Sequence, residues 1–396
     1  MERVLFVLNA EEFGGLEVVL LDWLAGIDYS KVSVALCYRS EVLKQKLALL
    51  NLPVETIKLN FPAGAGESSW KAFWSWRGVF SKVQPGRIIL MEGNVGDLGL
   101  APVLAARFSA SDVYIYAGGG GAAADAANPA SGATKLHAGI SPGFGFYRTK
   151  QALKQKIRSS SLTRNFVPSQ GLKDNVVRFL GYPASQTSVL YHGVDTARFQ
   201  PSAAERAEYR RANGIPDAAI VIVSHGRIAP IKRVDRILKA FAILSADHPN
   251  LWLLLTCYGP LKSEIERTVA SSAAYRQVKL LGFQDDSSKL LKSADIYALA
   301  SDREGFGIAL VEAMSSGLVC VATNCQGPAE IIVNGENGIL VEPTDEEVSS
   351  GLKKALALTR EARSRLVAQA RKSAEGRFEI QAAVRTALNS MGIPSR

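Results

Sequence analysis

The sequence predicts an α/β protein with two doubly wound, Rossmann-like domains. Its 396 residues exceed the ~250–300 residues that one hydrophobic core usually covers. Short apolar runs typical of buried parallel strands alternate with amphipathic helical stretches, which is the order of doubly wound sheets. The composition, 47% hydrophobic and 21% charged, is typical of a globular protein able to bury two cores.

Apolar runs predict the strands of both halves. In the first half they are VLFVL (4–8), VSVAL (32–36), RIILM (87–91), DVYIY (112–116) and SVLYH (188–192), the last at the end of the same sheet. In the second half they are AIVIVS (219–224), LWLLLT (251–256), VKLLG (278–282), DIYALA (295–300), LVCVAT (318–323) and GILVEP (338–343). Because ligands of open α/β sheets bind at the carboxyl ends of strands, we expect the two domains to face a cleft.

The domain boundaries follow from the breaks in this pattern. Residues 196–218 contain two prolines and a charged segment and predict a linker with a short helix. We therefore expect an N-terminal domain over 1–197, a C-terminal domain over 198–378 and a C-terminal helix over 379–396. The basic, helical end of the chain could pack on either half, including back on the N-terminal domain.

A glycine- and alanine-rich segment interrupts the first half. Sixteen of the twenty-eight residues from 118 to 145 are Gly or Ala, and the segment starts directly after the DVYIY run. Two interpretations stay open: a surface loop without function, or a mobile loop over the acceptor side of the cleft.

Charge and cysteine content exclude several classes. The net charge is +9, and residues 147–164 hold six basic residues and no acid. No zinc-finger, RRM-like or leucine-zipper pattern accompanies them, so we expect no nucleic-acid partner. We expect the four cysteines to be reduced thiols and predict no metal site. No apolar run has the length of a membrane span, and the acidic N-terminus does not resemble a signal peptide, so we expect a cytoplasmic protein.

The strongest motif is SDREGFGIALVEAMSSG (301–317), which follows a predicted strand and runs into a predicted helix. Glu304 lies in the turn and Glu312 about two helical turns later, so both can face one ligand. Gly305 and Gly307 leave backbone N–H groups open at a helix N-terminus, which favours a phosphate or a sugar hydroxyl. A solvated helix-surface charge is the alternative for either glutamate alone.

A second motif, SHGRIAPIKRVDRILKAF (224–241), follows the first strand of the second half. Arg227 and Lys232 lie at the carboxyl end of that strand, where two cations suit a diphosphate. Ordinary surface charge is the alternative for these two residues.

The two motifs together resemble the retaining GT-B glycosyltransferases of family four, whose E-x7-E element is similar to Glu304–Glu312. The segments CYGP (257–260), LGF (281–283), QGPAEII (326–332), GVDTARFQP (193–201) and FGGLE (13–17) fall in the family's order and spacing. The resemblance covers nearly the whole chain and is most specific over about 220–345. It implies the GT-B fold, with an acceptor-side N-terminal domain and a nucleotide-binding C-terminal domain.

The resemblance also implies residue roles. Glu304, Arg227 and Lys232 would be catalytic, with Glu304 on the donor sugar and the two cations on the diphosphate, where they stabilise the leaving charge. Glu312 would hold the ribose hydroxyls. The further donor-binding residues would be Gly14, Gly15, Gly226, Gly282, Phe283, Gly305, Phe306 and Gly307. A tight turn before a helix is an equally good explanation of Gly14 and Gly15.

The implied reaction is transfer of a hexose-type sugar with retention of anomeric configuration, without a metal or other cofactor. The co-substrate would be a nucleotide sugar, UDP-linked in preference to GDP-linked, and the departing phosphate would help to deprotonate the acceptor hydroxyl. The acceptor would be a glycan or a lipid-linked molecule used in cell-surface polysaccharide or glycolipid synthesis. Alternatives are a sugar-phosphate or disaccharide synthase, a small-molecule glycosyltransferase and a non-enzymatic regulatory protein that binds sugar nucleotides. A sugar-nucleotide epimerase of this fold is disfavoured by the E-x7-E element.

The sequence departs from the family at four positions. Where a histidine often follows the fifth strand, this chain has YAGGGG, and His137 is either an active-site contact or a loop residue. His192 replaces the usual Asn before GVD. His225 precedes the Gly-Arg pair and could add a phosphate donor. Arg233 replaces a common glycine.

The segment SSWKAFWSWRGVFSK (68–82) is rich in aromatic and basic residues. At helical spacing, Trp70, Phe73 and Trp74 share one face and Trp76 does not. Packing on the sheet accounts for most of these rings. A basic, aromatic helix also suits an anionic membrane surface, so we hypothesise peripheral docking at the inner face of the membrane.

Overall fold

The computed structural model of the chain describes residues 1–10, 14–60, 70–94, 97–119 and 156–396. The chain divides into two compact units. The first contains Met1–His192 together with Gln381–Arg396, and the second contains Gly193–Ile380. The division thus falls a few residues before the position expected from the sequence, 197, and directly after the His192 that replaces the family's usual Asn.

The first unit contains a seven-stranded parallel sheet in the order β3-β2-β1-β4-β5-β6-β7. Its strands are β1 Glu2–Leu8, β2 Val32–Tyr38, β3 Val54–Lys58, β4 Arg87–Asn94, β5 Asp112–Gly119, β6 Arg164–Val167 and β7 Thr187–Val189. Its helices include α1 Gly15–Gly26, α2 Glu41–Leu49, α3 Trp70–Val83, α4 Ala101–Arg107 and α5 Gln170–Leu180.

The five strands predicted for this half are confirmed, and the fifth lies at the sheet edge as expected. Two further strands, β3 and β6, were not predicted from the sequence. Most residues of β3 are exposed or only half-buried, so this edge strand lacks the apolar run of a buried one. The first two residues of the glycine-rich segment, Gly118 and Gly119, belong to β5, and residues 120–155, including His137, lie outside the described residues.

The second unit contains a six-stranded sheet, parallel throughout, in the order β10-β9-β8-β11-β12-β13. All six predicted strands are confirmed: β8 Ile220–Ser224, β9 Leu251–Thr256, β10 Val278–Leu281, β11 Ile296–Leu299, β12 Val319–Thr323 and β13 Ile339–Val341. Its helices are α6 Ala203–Ala212, α7 Val234–Asp247, α8 Lys262–Ala270, α9 Ser287–Lys292, α10 Ile308–Ser315, α11 Gln326–Ile331, α12 Asp345–Leu356 and α13 Arg360–Arg377.

Residues 196–218, which were interpreted from the sequence as a linker, are part of this second unit. The prediction of a linker was therefore wrong, whereas the short helix predicted within it is present. The helix is α6, and Arg210 on it is fully buried. Its guanidinium lies 2.9 Å from the carboxylate of Asp295, the residue directly before β11. Arg206 contacts the other oxygen of the same carboxylate at 2.7 Å. These charge-assisted contacts fix α6 against the sheet.

The end of the chain packs on the first unit. Helix α14, Ile380–Ser390, is followed by an antiparallel bridge between Ser395 and Ile27. A Cβ placed on Gly26 at the end of α1 would lie 2.4 Å from the Val384 side chain, so the helices meet at a glycine. Of the two halves on which the C-terminal segment could pack, it uses the N-terminal one.

Candidate functional site

The sheet of the second unit has one topological switch point, between β8 and β11. From β8 the strand order runs outward through β9 to β10 on one side, and from β11 through β12 to β13 on the other. In such sheets the loops that follow the two central strands diverge and leave a crevice at their carboxyl ends. Both sequence motifs fall in these loops: 225–233 follows β8 and 300–307 follows β11.

Two glycines shape the loop after β8. Gly226 has φ +141°, and its backbone N–H and C=O both bond the hydroxyl of Thr256, at 2.9 and 3.0 Å. Gly259, with φ +112°, lies so close to this loop that a Cβ there would be 2.6 Å from the Ile228 carbonyl oxygen and 2.9 Å from Cγ of Arg227. The position of the Arg227 stem thus depends on glycine at 259.

Lys232 and Glu304 meet across the switch point. Lys232 lies in a 3₁₀ turn, Pro230–Lys232, and its ammonium donates to Oε2 of Glu304 as an ion pair. The backbone fixes this meeting, because the N–H of Asp302 donates to the Ile231 carbonyl at 2.9 Å. The structure therefore brings together two of the predicted catalytic residues.

Backbone contacts hold the loop after β11 on its other side too. The Glu304 carbonyl accepts from the N–H of Gly327 at 3.0 Å, and the hydroxyl of Thr323 donates to the Ser301 carbonyl at 2.6 Å. A Cβ on Gly327 would lie 2.0 Å from the Phe306 carbonyl oxygen. The predicted QGPAEII segment thus serves as the close support of the glutamate loop.

The residues of the EGFG turn play different parts. Gly307 has φ +104° and is the N-cap of α10, which carries Glu312 as predicted. The Phe306 side chain is buried and packs edge-on against Phe378 at 5.3 Å between ring centroids. Only the backbone of Phe306 is therefore offered to a ligand, which is the role that the resemblance implied for it.

Arg233 occupies a backbone conformation that favours glycine, with φ +47° and ψ +45°. Its guanidinium binds the Asp235 carboxylate at 2.9 Å and lies 3.4 Å from Asp302. The family's common glycine thus has a conformational reason. Here ion pairs with Asp235, in the first turn of α7, and with the loop residue Asp302 stabilise the arginine in its place. They direct its charge into the protein scaffold.

Glu312 lies beside His225, the residue that follows β8. His225 Nε2 is 3.8 Å from Oε2 of Glu312. Burial lowers the pKa of His225 to about 4, so its imidazole is neutral near pH 7. A neutral imidazole has one N–H, so the phosphate donor predicted at this position would be a neutral one.

Tyr258 is a site residue that sequence reasoning missed. Burial raises the pKa of its hydroxyl, with nearby Arg227 opposing and Glu312 reinforcing the increase. Its ring packs edge-on against Phe283 at 5.1 Å, and Phe283 itself is exposed, as the predicted nucleobase pocket requires. A Cβ placed on Gly282 would have no described atom within 4 Å. The CYGP segment carried the signal, but only folding shows that its tyrosine joins Arg227, Glu312 and Phe283.

The predicted first-unit residues lie elsewhere. Gly14 is the N-cap of α1, and its N–H donates to Oε2 of Glu17 at 2.8 Å in a capping box. Gly15 begins the helix. This capping agrees with the alternative interpretation of Gly14 and Gly15, a tight turn before a helix. A role of these glycines in donor binding stays a prediction. His137 lies outside the described residues.

His192 takes a structural position. Its Nε2 lies 2.8 Å from the Tyr116 hydroxyl on β5, and Trp23 of α1 packs edge-on against the same tyrosine at 5.0 Å. Full burial lowers the pKa of His192 to about 3. The residue that replaces the usual Asn therefore anchors the end of the segment Met1–His192 to the sheet of the first unit.

With this geometry established, comparison with known proteins identifies the second unit. Residues 205–373 match the family model of glycosyl transferases group 1. The chain carries a glycosyltransferase group 1 domain. That domain contains the switch point and both sequence motifs.

Curated relatives support the same assignment. An uncharacterized glycosyltransferase of Methanocaldococcus jannaschii is 29% identical over 48% of this chain and 50% of its own length. A D-inositol 3-phosphate glycosyltransferase of Salinispora arenicola is 32% identical over 41% of this chain and 40% of its own. The matched part of this chain thus spans half or less of the length of these relatives.

Solved structures show the fold of the whole chain. The Anabaena protein HepE, crystallised in complex with UDP and glucose, aligns over 99% of both chains with a TM-score of 0.77 at 20% identity. WaaG, a glycosyltransferase involved in lipopolysaccharide biosynthesis, aligns over 98% of this chain with a TM-score of 0.75 at 16% identity. The two Rossmann-like units have the fold of these glycosyltransferase structures, which confirms the predicted fold class.

Proposed function

We propose that this protein is a retaining hexosyltransferase that moves a sugar from a nucleotide diphosphate sugar to a glycan or lipid-linked acceptor. One observation carries the proposal: the carboxylates Glu304 and Glu312 and the cations Arg227 and Lys232 all stand on the two loops and the helix at the β8/β11 switch point. This is the position at which open α/β sheets bind nucleotides.

The proposed chemistry depends on electrostatic stabilisation of the leaving group. Arg227 and Lys232 would bind the diphosphate, whose negative charge grows as the bond to the anomeric carbon breaks. Lys232 is paired with Glu304 in this structure. Donor binding would move the ammonium towards the phosphate and free the carboxylate for the sugar hydroxyls. Lys232 would then bind the diphosphate of the donor, and Glu304 would bind its sugar.

The donor is proposed to be UDP-linked. The exposed face of Phe283, held edge-on by Tyr258, offers a stacking surface for the base, and Glu312 offers a carboxylate for the ribose. Complexes of HepE with UDP and glucose and with UDP-glucose lend this choice support. No metal takes part in the proposed reaction, because the two cations would supply the charge that balances the diphosphate.

A lipid-linked acceptor is supported by an apolar groove on the first unit, between α3 and α4. The groove has a volume of about 610 Å³ and is lined by Trp70, Phe73, Trp74, Arg77, Leu100, Ala101, Leu104 and Phe108. Trp70, Trp74 and Phe108 are 76%, 64% and 69% exposed. Large exposed aromatic patches of this kind mark interaction surfaces.

The division of rings on α3 follows the helical spacing predicted from the sequence. Trp76 and Phe80 are buried in the core of the first unit, whereas Trp70 and Trp74 face outward. Neither α3 nor α4 contains an acidic residue, and together they carry Lys71, Arg77, Lys82 and Arg107. Aromatic rings among cations suit the headgroup region of an anionic bilayer, so we propose that this face docks on such a membrane.

The acid-free stretch 147–164 adds less to this surface than the sequence suggested. Arg158 is buried and pairs with the buried Glu92 at 2.6 Å, so its charge belongs to the protein interior. Arg148, Lys150 and Lys154 lie outside the described residues. In the part of the chain that the structure describes, no helix combines the length and the apolar character needed to cross a membrane.

A panel of UDP-, GDP-, ADP- and TDP-sugars tests the proposed reaction. We expect slow hydrolysis of one UDP-sugar, and NMR of the first product should show the same anomeric configuration as in the donor. Release of the opposite anomer would contradict the retaining mechanism. Hydrolysis of a GDP-sugar alone would overturn the UDP assignment and leave the class intact. Adding lipid-linked and soluble acceptors, among them inositol 3-phosphate, then separates the proposed acceptor class from a small-molecule glycosyltransferase.

A further inference from the structure

The side chain of His225 is enclosed on one side and open on the other. Its Nδ1 is buried and has no hydrogen-bond partner among the described residues, whereas its Nε2 faces Oε2 of Glu312 at 3.8 Å. The side chain retains 15% of its surface exposure at the carboxyl end of β8. The backbone carbonyl of His225 lies 3.5 Å from the Tyr297 hydroxyl and keeps the residue in place independently of its ring.

This asymmetry selects a tautomer. The buried imidazole is neutral and carries one N–H, on either Nδ1 or Nε2. A proton on Nδ1 would leave a buried donor without an acceptor, which is costly. A proton on Nε2 points at a carboxylate. The neutral ring with its proton on Nε2 is therefore the form that this site favours.

We propose that His225 is a positioning residue that orients the Glu312 carboxylate for recognition of the ribose hydroxyls of the nucleotide. The inference rests on the proposed function, because it assigns a specificity role within the same donor site. In this arrangement Nε2–H donates to Oε2 after the side chains approach by less than 1 Å, the distance that separates 3.8 Å from a normal hydrogen bond. The other carboxylate oxygen is then directed towards the ribose.

The positioning role requires a neutral His225. A protonated histidine would pair fully with Glu312 and reduce its capacity to accept from a hydroxyl, whereas a neutral N–H leaves the carboxylate its full charge. The groups near this carboxylate include Arg227 and Tyr258, which act with Glu312 on the ionisation of Tyr258, and Tyr297, on whose ionisation Glu312 also acts. His225 is the neutral donor of this set on the β8 side.

The chain permits a matched series of variants. His225→Gln places an amide nitrogen near the position of Nε2, whereas His225→Asn places one only near Nδ1, where the structure offers no partner. His225→Leu removes both nitrogens at similar volume. His248→Leu, at the end of α7, replaces a histidine in the same unit that lies outside both motifs and is the control.

The test measures binding of UDP and of 2′-deoxy- and 3′-deoxy-UDP by calorimetry, with thermal unfolding of each variant as a check of folding. We expect wild type, His225→Gln and His248→Leu to prefer UDP over a deoxy analogue by about tenfold, the size of one hydrogen bond to a charged group. His225→Asn and His225→Leu should lose most of this preference. In donor hydrolysis they should raise KM and change kcat less than about twofold.

The outcomes are distinct. If His225→Asn and His225→Leu retain the wild-type ratio of UDP to deoxy-UDP affinity, the positioning role is overturned while the proposed function stands. Loss of the preference in His225→Gln to the same extent as in His225→Asn would also overturn it, since position of the nitrogen would then not matter. If wild type binds neither UDP nor GDP, the proposed function itself fails, and the inference fails with it.

Discussion

Lys232 and Glu304, 72 residues apart in the chain, form an ion pair at the carboxyl ends of β8 and β11. The pair is only partly exposed, with 31% and 15% of the two side chains accessible. A backbone hydrogen bond between Asp302 and Ile231 fixes the loops that carry them. Under the proposed function, the pair joins a cation suited to a diphosphate with a carboxylate suited to a sugar.

The first prediction concerns the carboxylate of this pair. Glu304→Gln should lower transfer at least ~100-fold, because an electrostatic contact made in the transition state is lost. The fold should persist, since the Glu304 backbone contacts with Gly327 do not involve the side chain. Steady-state kinetics with circular dichroism checks both statements. Glu336→Gln, on an exposed turn, is the control, and activity of Glu304→Gln near wild type would refute the site assignment.

The second prediction compares two glycines near the site. Gly259→Ala should destabilise the second unit by about 2 kcal/mol or more, because φ is positive and the new Cβ would clash with the Ile228 carbonyl. It should also weaken donor binding by displacing Arg227. Gly282→Ala has open space around it and should leave stability unchanged within about 0.5 kcal/mol. Urea unfolding of both variants is the measurement, and equal stabilities would contradict the packing argument.

The third prediction uses the left-handed conformation of Arg233. Arg233→Ala keeps the positive φ and loses the ion pairs with Asp235 and Asp302, whereas Arg233→Gly loses the ion pairs but relieves the backbone. The glycine variant should be more stable than the alanine variant by about 1 kcal/mol. Thermal unfolding of the alanine and glycine variants measures this difference in stability. An alanine variant as stable as the glycine variant would show that the conformation carries little strain.

The fourth prediction is a pH dependence of stability. The pKa of His192 is about 3 in the folded protein and near its ordinary value of 6.5 when unfolded. Because the unfolded chain then binds more protons, stability is full above pH 6.5 and falls as the pH drops. The loss should reach about 2 kcal/mol at pH 5.

His192→Asn should remove most of this loss, and His248→Asn should leave it in place. Urea unfolding at pH 7 and pH 5 measures the difference. His225, with its pKa also lowered to about 4, contributes a similar slope through the second unit and stays as a background in both variants. The same loss between pH 7 and 5 in His192→Asn as in wild type would contradict the assignment to His192.

The fifth prediction concerns the aromatic groove. Wild type should co-sediment with anionic vesicles and bind neutral ones less, and Trp70→Ala with Trp74→Ala should reduce pelleting severalfold without loss of stability, because both rings are exposed. Trp252→Ala, on β9 of the second unit, is a poor control because that ring is half-buried. Leu49→Ala, which removes an exposed apolar side chain at the end of α2, is the better one. Equal pelleting with neutral and anionic vesicles, or none, would contradict membrane docking.

Periodicity and motifs predicted much of this molecule, and tertiary contacts account for the rest. The buried strands carry unbroken apolar runs, so both sheets could be predicted except β3 and β6, which are short and partly polar. The two motifs could be recognised from the sequence because each is local, and they contain Glu304, Glu312, Arg227 and Lys232. The packing of Tyr258 on Phe283 and the approach of His225 to Glu312 bring together residues from different strands and helices. Such tertiary contacts cannot be predicted from local sequence spacing.

The most direct test of the proposed function is calorimetric binding of UDP to wild type, Arg227→Ala and Arg276→Ala. Arg276 is an exposed arginine of the same unit outside both motifs. We predict that wild type and Arg276→Ala bind UDP alike and that Arg227→Ala binds it at least ~10-fold more weakly, the loss of one charge-assisted phosphate contact. Equal UDP affinity in Arg227→Ala and wild type would contradict the placement of the diphosphate at the β8/β11 switch point.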